Sequence, residues 1–200
     1  MNDNKSFKYE IIKEESLYKG FFGAIRFHLR HTLFKGGMSS SFGREVFMRT
    51  PAAGVLLYDD AQDKVVLIEQ FRVGPMVAKD NAWMLEVVAG IAEPGEDPEE
   101  VAIREAVEEA GCTVTKLLPI SSYYPSPGAC NEIIHLYCGL TDSTGAGGIH
   151  GLDEENEDIK VHVLSSGDAL ELLDRGTINN ATTIIALQWL REYRQKQHQN

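Results

Sequence analysis

Residues 90–112 read GIAEPGEDPEEVAIREAVEEAGC, and this stretch decides the fold. Its middle predicts a helix over Pro98–Ala110. Asp97 suits the N-cap, Pro98 the first helical position, and Glu100 the third, which completes a capping-box arrangement. Gly111 supplies the residue beyond the last turn. At about 100° per residue, Arg104, Glu105, Glu108 and Glu109 share one arc, and Ile103, Ala106, Val107 and Ala110 share the opposite one. Glu105 and Glu109 are four apart, and like charges at that spacing cost a helix roughly 0.2–0.5 kcal/mol per pair. A divalent cation would relieve that repulsion, since Mg²⁺ favours hard carboxylate oxygens. On the helix alone, a solvated acidic face explains the charges as well.

Working outward, the flanking segments read as strands and helices. Ala53–Tyr58 and Lys64–Arg72 predict a hairpin around residues 59–63, and Trp83–Val88 a short apolar strand. Lys116–Tyr124, Glu132–Leu140 and Ile159–Leu164 read as further strands, and helices are expected over Gly167–Leu173 and Ala181–Arg194. Before Arg49 the chain is strand-like, with Phe21, Phe22, Ile25, Phe27 and Leu29 interleaved with basic residues. The fold class is α+β. The expected organisation is an N-terminal β-rich arm over residues 1–45 and a main domain over residues 46–200.

Composition narrows the function classes. The chain has 200 residues, 43% hydrophobic and 24% charged, enough apolar content for a real core. No apolar run is long enough to cross a bilayer, and residues 1–6 are polar rather than a leader, so no membrane partner is expected. The net charge of -11 argues against nucleic acid. That charge is uneven: through Thr50 nine Lys/Arg face five Asp/Glu, and the remainder carries ten against 25. Three cysteines without a Cys-x-x-Cys pair read as reduced thiols in a cytoplasmic protein. The six histidines lack zinc-site spacing, and no glycine leads into Gly-Lys-Ser/Thr.

The wider pattern overturns the solvated-face reading. Gly90, five residues, Glu96, seven residues, then Arg104-Glu105-Ala106-Val107-Glu108-Glu109-Ala110-Gly111-Cys112 matches every fixed letter of the Nudix box, G-x5-E-x7-R-E-U-x-E-E-x-G-U. Seven fixed letters at roughly 7% usage each coincide about once in 10⁸ windows. Ala106 and Cys112 are smaller than the bulky aliphatics usual at the U positions. The chain resembles the Nudix hydrolases. Ser126-Pro127-Gly128, the stretch GIHGLDEENEDIKVHV over Gly148–Val163 and the IALQWL tail are similar to the bacterial dimeric ADP-ribose pyrophosphatases, nearly throughout from Leu17 onward. The resemblance implies an α/β/α sandwich on a mixed sheet, preceded by an arm that exchanges with a second subunit to form a homodimer.

It also implies the chemistry and its residues. The reaction would be water attacking a phosphorus of a nucleoside diphosphate linked to another group, with two or three Mg²⁺ ions, or Mn²⁺, neutralising charge and activating water. Glu105, Glu109, Glu157 and the Ala89 carbonyl match metal-ligand positions, Glu108 acts through water, and Glu155 matches the general base. Gly90 and Gly111 serve backbone shape, Arg104 fixes carboxylate rotamers, and Glu96 ties loop to helix. Arg49 and Arg72 match phosphate- or ribose-contacting positions, Arg44 and Glu45 the nucleotide, and Glu132 the terminal ribose side. Phe21 and Phe22 match an adenine-contacting pair from the partner subunit, although a Phe-Phe pair in a strand is more often core. Ile91 and Ser126–Gly128 would add apolar and backbone contacts, although Ser-Pro-Gly is also an ordinary turn. The run Asp153–Asp158 reads as either a solvated connection or a lid closing on substrate.

The expected function is Mg²⁺-dependent hydrolysis of ADP-ribose to AMP and ribose 5-phosphate. Competing with it are hydrolysis of another nucleoside diphosphate sugar such as ADP-glucose, hydrolysis of a dinucleotide, and regulatory nucleotide binding without hydrolysis.

Overall fold

The computed structural model describes residues 7–152 and 156–197. They form two compact units, one built from the chain up to Thr50 together with Tyr124–Glu132, the other from Pro51–Tyr123 and the chain from Ile133 onward.

In the first unit, β1 (Tyr9–Lys19), β2 (Gly23–His31) and β3 (Phe42–Met48) form an antiparallel sheet in that order. Arg30 bridges to Glu10 at 2.7 Å and Arg26 to Glu45 at 2.7 Å across neighbouring strands. Exposed pairs of this kind contribute about 0–1 kcal/mol each, so the sheet rests mainly on its ladders. The expected boundary near residue 45 falls inside β3. The unit also recruits a distant segment: Phe47 N–H donates to Ala129 O at 2.7 Å, and Arg49 N–H to Asn131 Oδ1 at 2.7 Å. A reading along the chain has no means of seeing that recruitment.

The second unit is an eight-stranded mixed sheet with the path β10 (Gly148–His150), β11 (Ile159–Ser165), β5 (Lys64–Phe71), β4 (Ala52–Asp59), β9 (Ile134–Leu140), β8 (Lys116–Tyr123). Along that path only the β4–β9 pair is parallel. β4 and β5 pair over just three residues beside their turn, from Asp59↔Lys64 to Leu57↔Val66, and then part. The freed edges are taken by β6 (Trp83–Glu86) on β5 and β7 (Val88–Ile91) on β4. The single strand expected over Trp83–Val88 is therefore two, because the splay demands a change of partner at Val87.

Side-chain alternation along β4 and β5 builds two cores. Val55, Leu57, Val66 and Ile68 pack with Val101, Ala102, Ala106 and Ala110 of α2 (Pro98–Ala110). Leu56, Tyr58, Val65 and Leu67 pack on the opposite face with Ala169 of α3 (Ser166–Asp174) and Ala186, Leu187 and Leu190 of α4 (Ala181–Gln197). This is the expected α/β/α sandwich. Burial on both faces is why β4 reads as a nearly unbroken apolar run. Each Leu, Ile or Val so buried contributes about 1.5–3 kcal/mol. Sequence reading did not anticipate β10 or the short α1 (Val73–Val77). Among the described residues, no helix is long and apolar enough to cross a membrane.

One buried carboxylate pins the connection between β9 and β10. Asp59, 2% exposed, accepts from Ser143 N–H at 2.9 Å, Ser143 Oγ at 2.7 Å and Gln62 N–H at 2.9 Å. Burial pushes its pKa up, but the Ser143 and Gln62 hydrogen bonds outweigh burial and hold it below the usual carboxylate range. Replacing it (Asp59→Asn) should cost about 2 kcal/mol at neutral pH, on the scale of hydrogen bonds to charged groups. Because the folded pKa is depressed, this contribution is present above the unfolded value of about 3.9 and disappears as pH falls through the folded value. The difference between wild type and variant in urea denaturation should therefore shrink below about pH 4; a gap independent of pH would contradict the assignment.

Candidate active site

The site is built where α2 meets β7. Asp97 caps the helix by accepting from Glu99 N–H at 3.0 Å, and Gly111 ends it in the left-handed region at φ 63°. A Cβ at Gly111 would also lie 2.8 Å from His150 Cε1, so this glycine satisfies both a backbone and a packing demand. Ala102, Ala106 and Ala110 form the contact row against the sheet, and Cys112 continues it. The small residues at the two U positions belong to that close approach, since both are buried.

The helix is rotated relative to the two-arc reading. Ile103 and Val107 are 42% and 52% exposed, whereas Glu109 is only 3% exposed. The alanine row sets the contact line, and Glu109 flanks it on the side of β7. There the Ala89 N–H donates to Glu109 Oε2 at 3.1 Å. Glu105 lies directly on Gly90: a Cβ there would stand 1.9 Å from Glu105 Oε1 and 2.2 Å from its carboxyl carbon. Only glycine leaves that room.

Electrostatics follow from this packing. Burial pushes the Glu109 carboxyl up to about 8; the Ala89 hydrogen bond opposes this, Glu105 and Glu157 add to it, and Arg72 opposes it. Burial likewise raises Glu105, with Arg104 opposing and Glu108 and Glu157 reinforcing. Arg104 binds Glu105 at 2.8 Å and Glu108 at 3.0 Å, and approaches Glu96 at 4.0 Å. Glu96 in turn accepts from Glu93 N–H at 2.7 Å, closing the loop ahead of the helix. Glu157 accepts from Leu152 N–H at 3.3 Å while its charge is felt at Glu105 and Glu109.

Among the described residues, no three acidic, histidine or cysteine side chains already converge as a ready-made cation site. The donor set nevertheless suits a hard divalent cation. Glu109 is a buried carboxylate that accepts from the Ala89 N–H, and it shares its surroundings with two further carboxylates. Glu105, Glu109 and Glu157, with the Ala89 peptide adjoining, could hold such an ion. Glu155 lies outside the described residues.

Arg72 donates to Glu86 at 2.7 Å, in the same unit. Ile91, 36% exposed, ends β7. The first unit assembles another group: the Arg49 guanidinium stacks 4.5 Å from the Phe22 ring and bridges to Glu132 at 3.0 Å. Phe21 contacts Phe22 edge-on with centroids 4.8 Å apart and is 86% exposed. The pair sits in the β1–β2 turn rather than in a strand or core. Ser126 O accepts from the N–H groups of Ala129 and Cys130, so Ser126, Pro127 and Gly128 do form a turn. Arg44 and Glu45 are not drawn into that group: Arg44 donates to Gly43 O and lies over Phe42, and Glu45 pairs with Arg26. Sequence reading missed Glu86 and Asn131. Glu86 had a signal, being the one charge within an apolar run over 83–89; Asn131 had none.

The NUDIX domain family matches residues 48–186, and the chain belongs to that family. Within it, the chain is similar to the ADP-ribose pyrophosphatase of Escherichia coli (strain K12), 47% identical over 186 residues, covering 93% of this chain and 89% of the relative. It is 46% identical to the Haemophilus influenzae ADP-ribose pyrophosphatase over 90% of this chain and 85% of the relative. It is 35% identical to the GDP-mannose pyrophosphatase of Cronobacter sakazakii over 92% and 96%, respectively. The crystal structure of an ADP compounds hydrolase shares the fold with a TM-score of 0.71 at 20% identity, covering 95% of this chain and 96% of that one.

Substituting Gly90→Ala should swing the Glu105 carboxylate away while leaving the fold intact. The divalent-cation concentration giving half-maximal turnover should rise about 10–100-fold with an unchanged circular dichroism spectrum. An unaltered metal dependence would show that Glu105 needs no fixed position.

Proposed function

We propose that this protein hydrolyses the pyrophosphate of ADP-ribose to AMP and ribose 5-phosphate, with Mg²⁺, two or three ions per site, as its cofactor and Mn²⁺ as a substitute. The observation that carries the reading is the buried Glu109 beside the half-buried Glu105, packed against Ala89 and Gly90, with Glu109 within electrostatic reach of Arg72. The 47% identity to ADP-ribose pyrophosphatase supports the substrate. The reaction forms a bond from water oxygen to one phosphorus and breaks that phosphorus's bond to the bridging oxygen. The cation supplies charge neutralisation of the pyrophosphate and acidification of the attacking water.

The chain's own groups do the rest. Glu105, Glu109, Glu157 and the Ala89 carbonyl hold the ions, and Glu108 acts through water. Arg104 keeps two of the carboxylates oriented through its 2.8 and 3.0 Å bonds. Glu155 takes the proton of water. Arg72 orients phosphate, and Arg49, Arg44, Glu45 and Glu132 take the nucleotide and riboses, with Phe21 and Phe22 against the adenine and Ile91 and Ser126–Gly128 supplying apolar and backbone contacts. The location we propose is the cytoplasm, where Cys112, Cys130 and Cys138 persist as free thiols.

A second reading changes the sugar nucleotide but not the chemistry, and the 35% identity to a GDP-mannose pyrophosphatase favours it over a dinucleotide substrate or a purely regulatory role. A panel of ADP-ribose, ADP-glucose and GDP-mannose in ¹⁸O-labelled water, with products weighed by mass spectrometry, separates the two and locates the attacked phosphorus. ADP-ribose should show the highest kcat/KM; a hundredfold preference for GDP-mannose would replace the substrate. Glu109→Gln should lower kcat by about two orders of magnitude. Glu155→Gln should lower kcat with little change in KM, while Glu157→Gln should shift the metal dependence. Exchange of those two patterns would exchange the roles.

We also propose a homodimer in which each site borrows Phe21 and Phe22 from the neighbour. Supporting this, Tyr9, Tyr18 and Phe21 are 75%, 63% and 86% exposed in a unit with little core of its own. Co-expressing the inactive Phe21→Ala/Phe22→Ala and Glu109→Gln chains should restore activity, since a mixed dimer holds one undamaged site. Proven mixed dimers without activity would exclude sharing.

A further inference from the structure

Gln70 occupies a position where an apolar residue would be expected. It lies on β5, which is paired with β11 on one side and β6 on the other, and it is 6% exposed. Its Nε2 is buried and has no hydrogen-bond partner among the described residues. Buried amides are nearly always satisfied, so an unmet donor near the end of β5 needs a reason.

Strand alternation shows which way it faces. Val66 and Ile68, four and two residues earlier, belong to the core beneath α2. Gln70 continues that row onto the same face. Its cross-strand neighbour is Met84, and Glu86 stands opposite Ile68 on that face. Arg72, the next residue of the row, binds Glu86 and reaches Glu109 electrostatically. The unmet donor is therefore on the carboxylate side of the sheet, one alternation before Arg72. Glu86 and Glu109 are acceptors on this side, yet each has another partner: Glu86 takes Arg72 and Glu109 takes the Ala89 N–H.

We propose that Gln70 is a substrate-contacting residue whose side-chain amide donates to a non-bridging oxygen of the pyrophosphate, beside Arg72. This rests on the reading of the site as a pyrophosphatase. An amide N–H cannot ligate a cation, so its complement is an oxygen acceptor, and a pyrophosphate presents several. A neutral donor adds directionality next to Arg72 without competing with Glu105 and Glu109 for the cation.

The decisive comparison sets stability against kinetics. Gln70→Met fills similar volume and removes the unmet donor, so its melting temperature should equal or exceed that of wild type. Its kcat/KM for ADP-ribose should nevertheless fall about 10–100-fold, as for loss of a hydrogen bond to a charged group. Gln70→Glu, which replaces the donor by an acceptor, should lose more. Wild-type kinetics in Gln70→Met would overturn the proposal, as would parallel loss of stability and activity. If Gln70→Met does not fold, Gln70→Asn decides: reduced kcat/KM at unchanged melting temperature supports the contact, and unchanged kcat/KM rejects it. Wild type that fails to hydrolyse ADP-ribose removes the substrate reading, whereas wild-type turnover with indifferent Gln70 variants removes Gln70 alone.

Discussion

The close approach of α2 to β7 is the constraint on which the site depends. Ala102, Ala106 and Ala110 let the helix lie low on the sheet, and Gly90 removes the one side chain that would meet Glu105. At that distance Glu109 has nowhere to go but inward, where it is 3% exposed. The carboxylates are thus forced together by packing rather than by mutual attraction. Burial and like charge raise the free energy of their ionised forms, a cost that a bound divalent cation would offset. Bulkier aliphatics along the alanine row would lift the helix and relax the repulsion.

The same economy appears around the carboxylates. Arg104 bonds to Glu105 and Glu108 and approaches Glu96, which makes it a brace rather than a free charge. Asp59 and Ser143 fix the start of the connection between β9 and β10. In the first unit, Arg49 is likewise fixed from two directions, by the Phe22 ring and by Glu132. Planar guanidinium groups suit such two-point restraint, since less rotamer freedom is lost per contact made.

Much of this is legible along the chain. The cap at Asp97, the end at Gly111 and the β4–β5 hairpin all depend on neighbours in sequence, where propensity and periodicity act directly. The splay of β4 and β5 is not legible, because it arises from competition for strand edges between segments that are far apart. Nor is the recruitment of Tyr124–Glu132 to the N-terminal sheet, which rests on a few hydrogen bonds near Phe47 and Arg49. The helix-face reading failed at Ile103, Val107 and Glu109 because periodicity reports which residues share an arc and not how the helix is rotated on its support.

The sequence by itself determined the family, the longer strands and helices of the main domain, and the box of carboxylates between Gly90 and Cys112. Those features are encoded in residue type and spacing along one continuous segment. Only the tertiary structure decided that Glu109 is the buried member of the set, that the space beside Gly90 and Gly111 is filled by a specific side chain in each case, and that Gln70 joins Arg72 on the carboxylate face. Those outcomes depend on rotations and separations of a few ångströms between distant elements, and steric exclusion at that scale leaves no periodic trace in the chain.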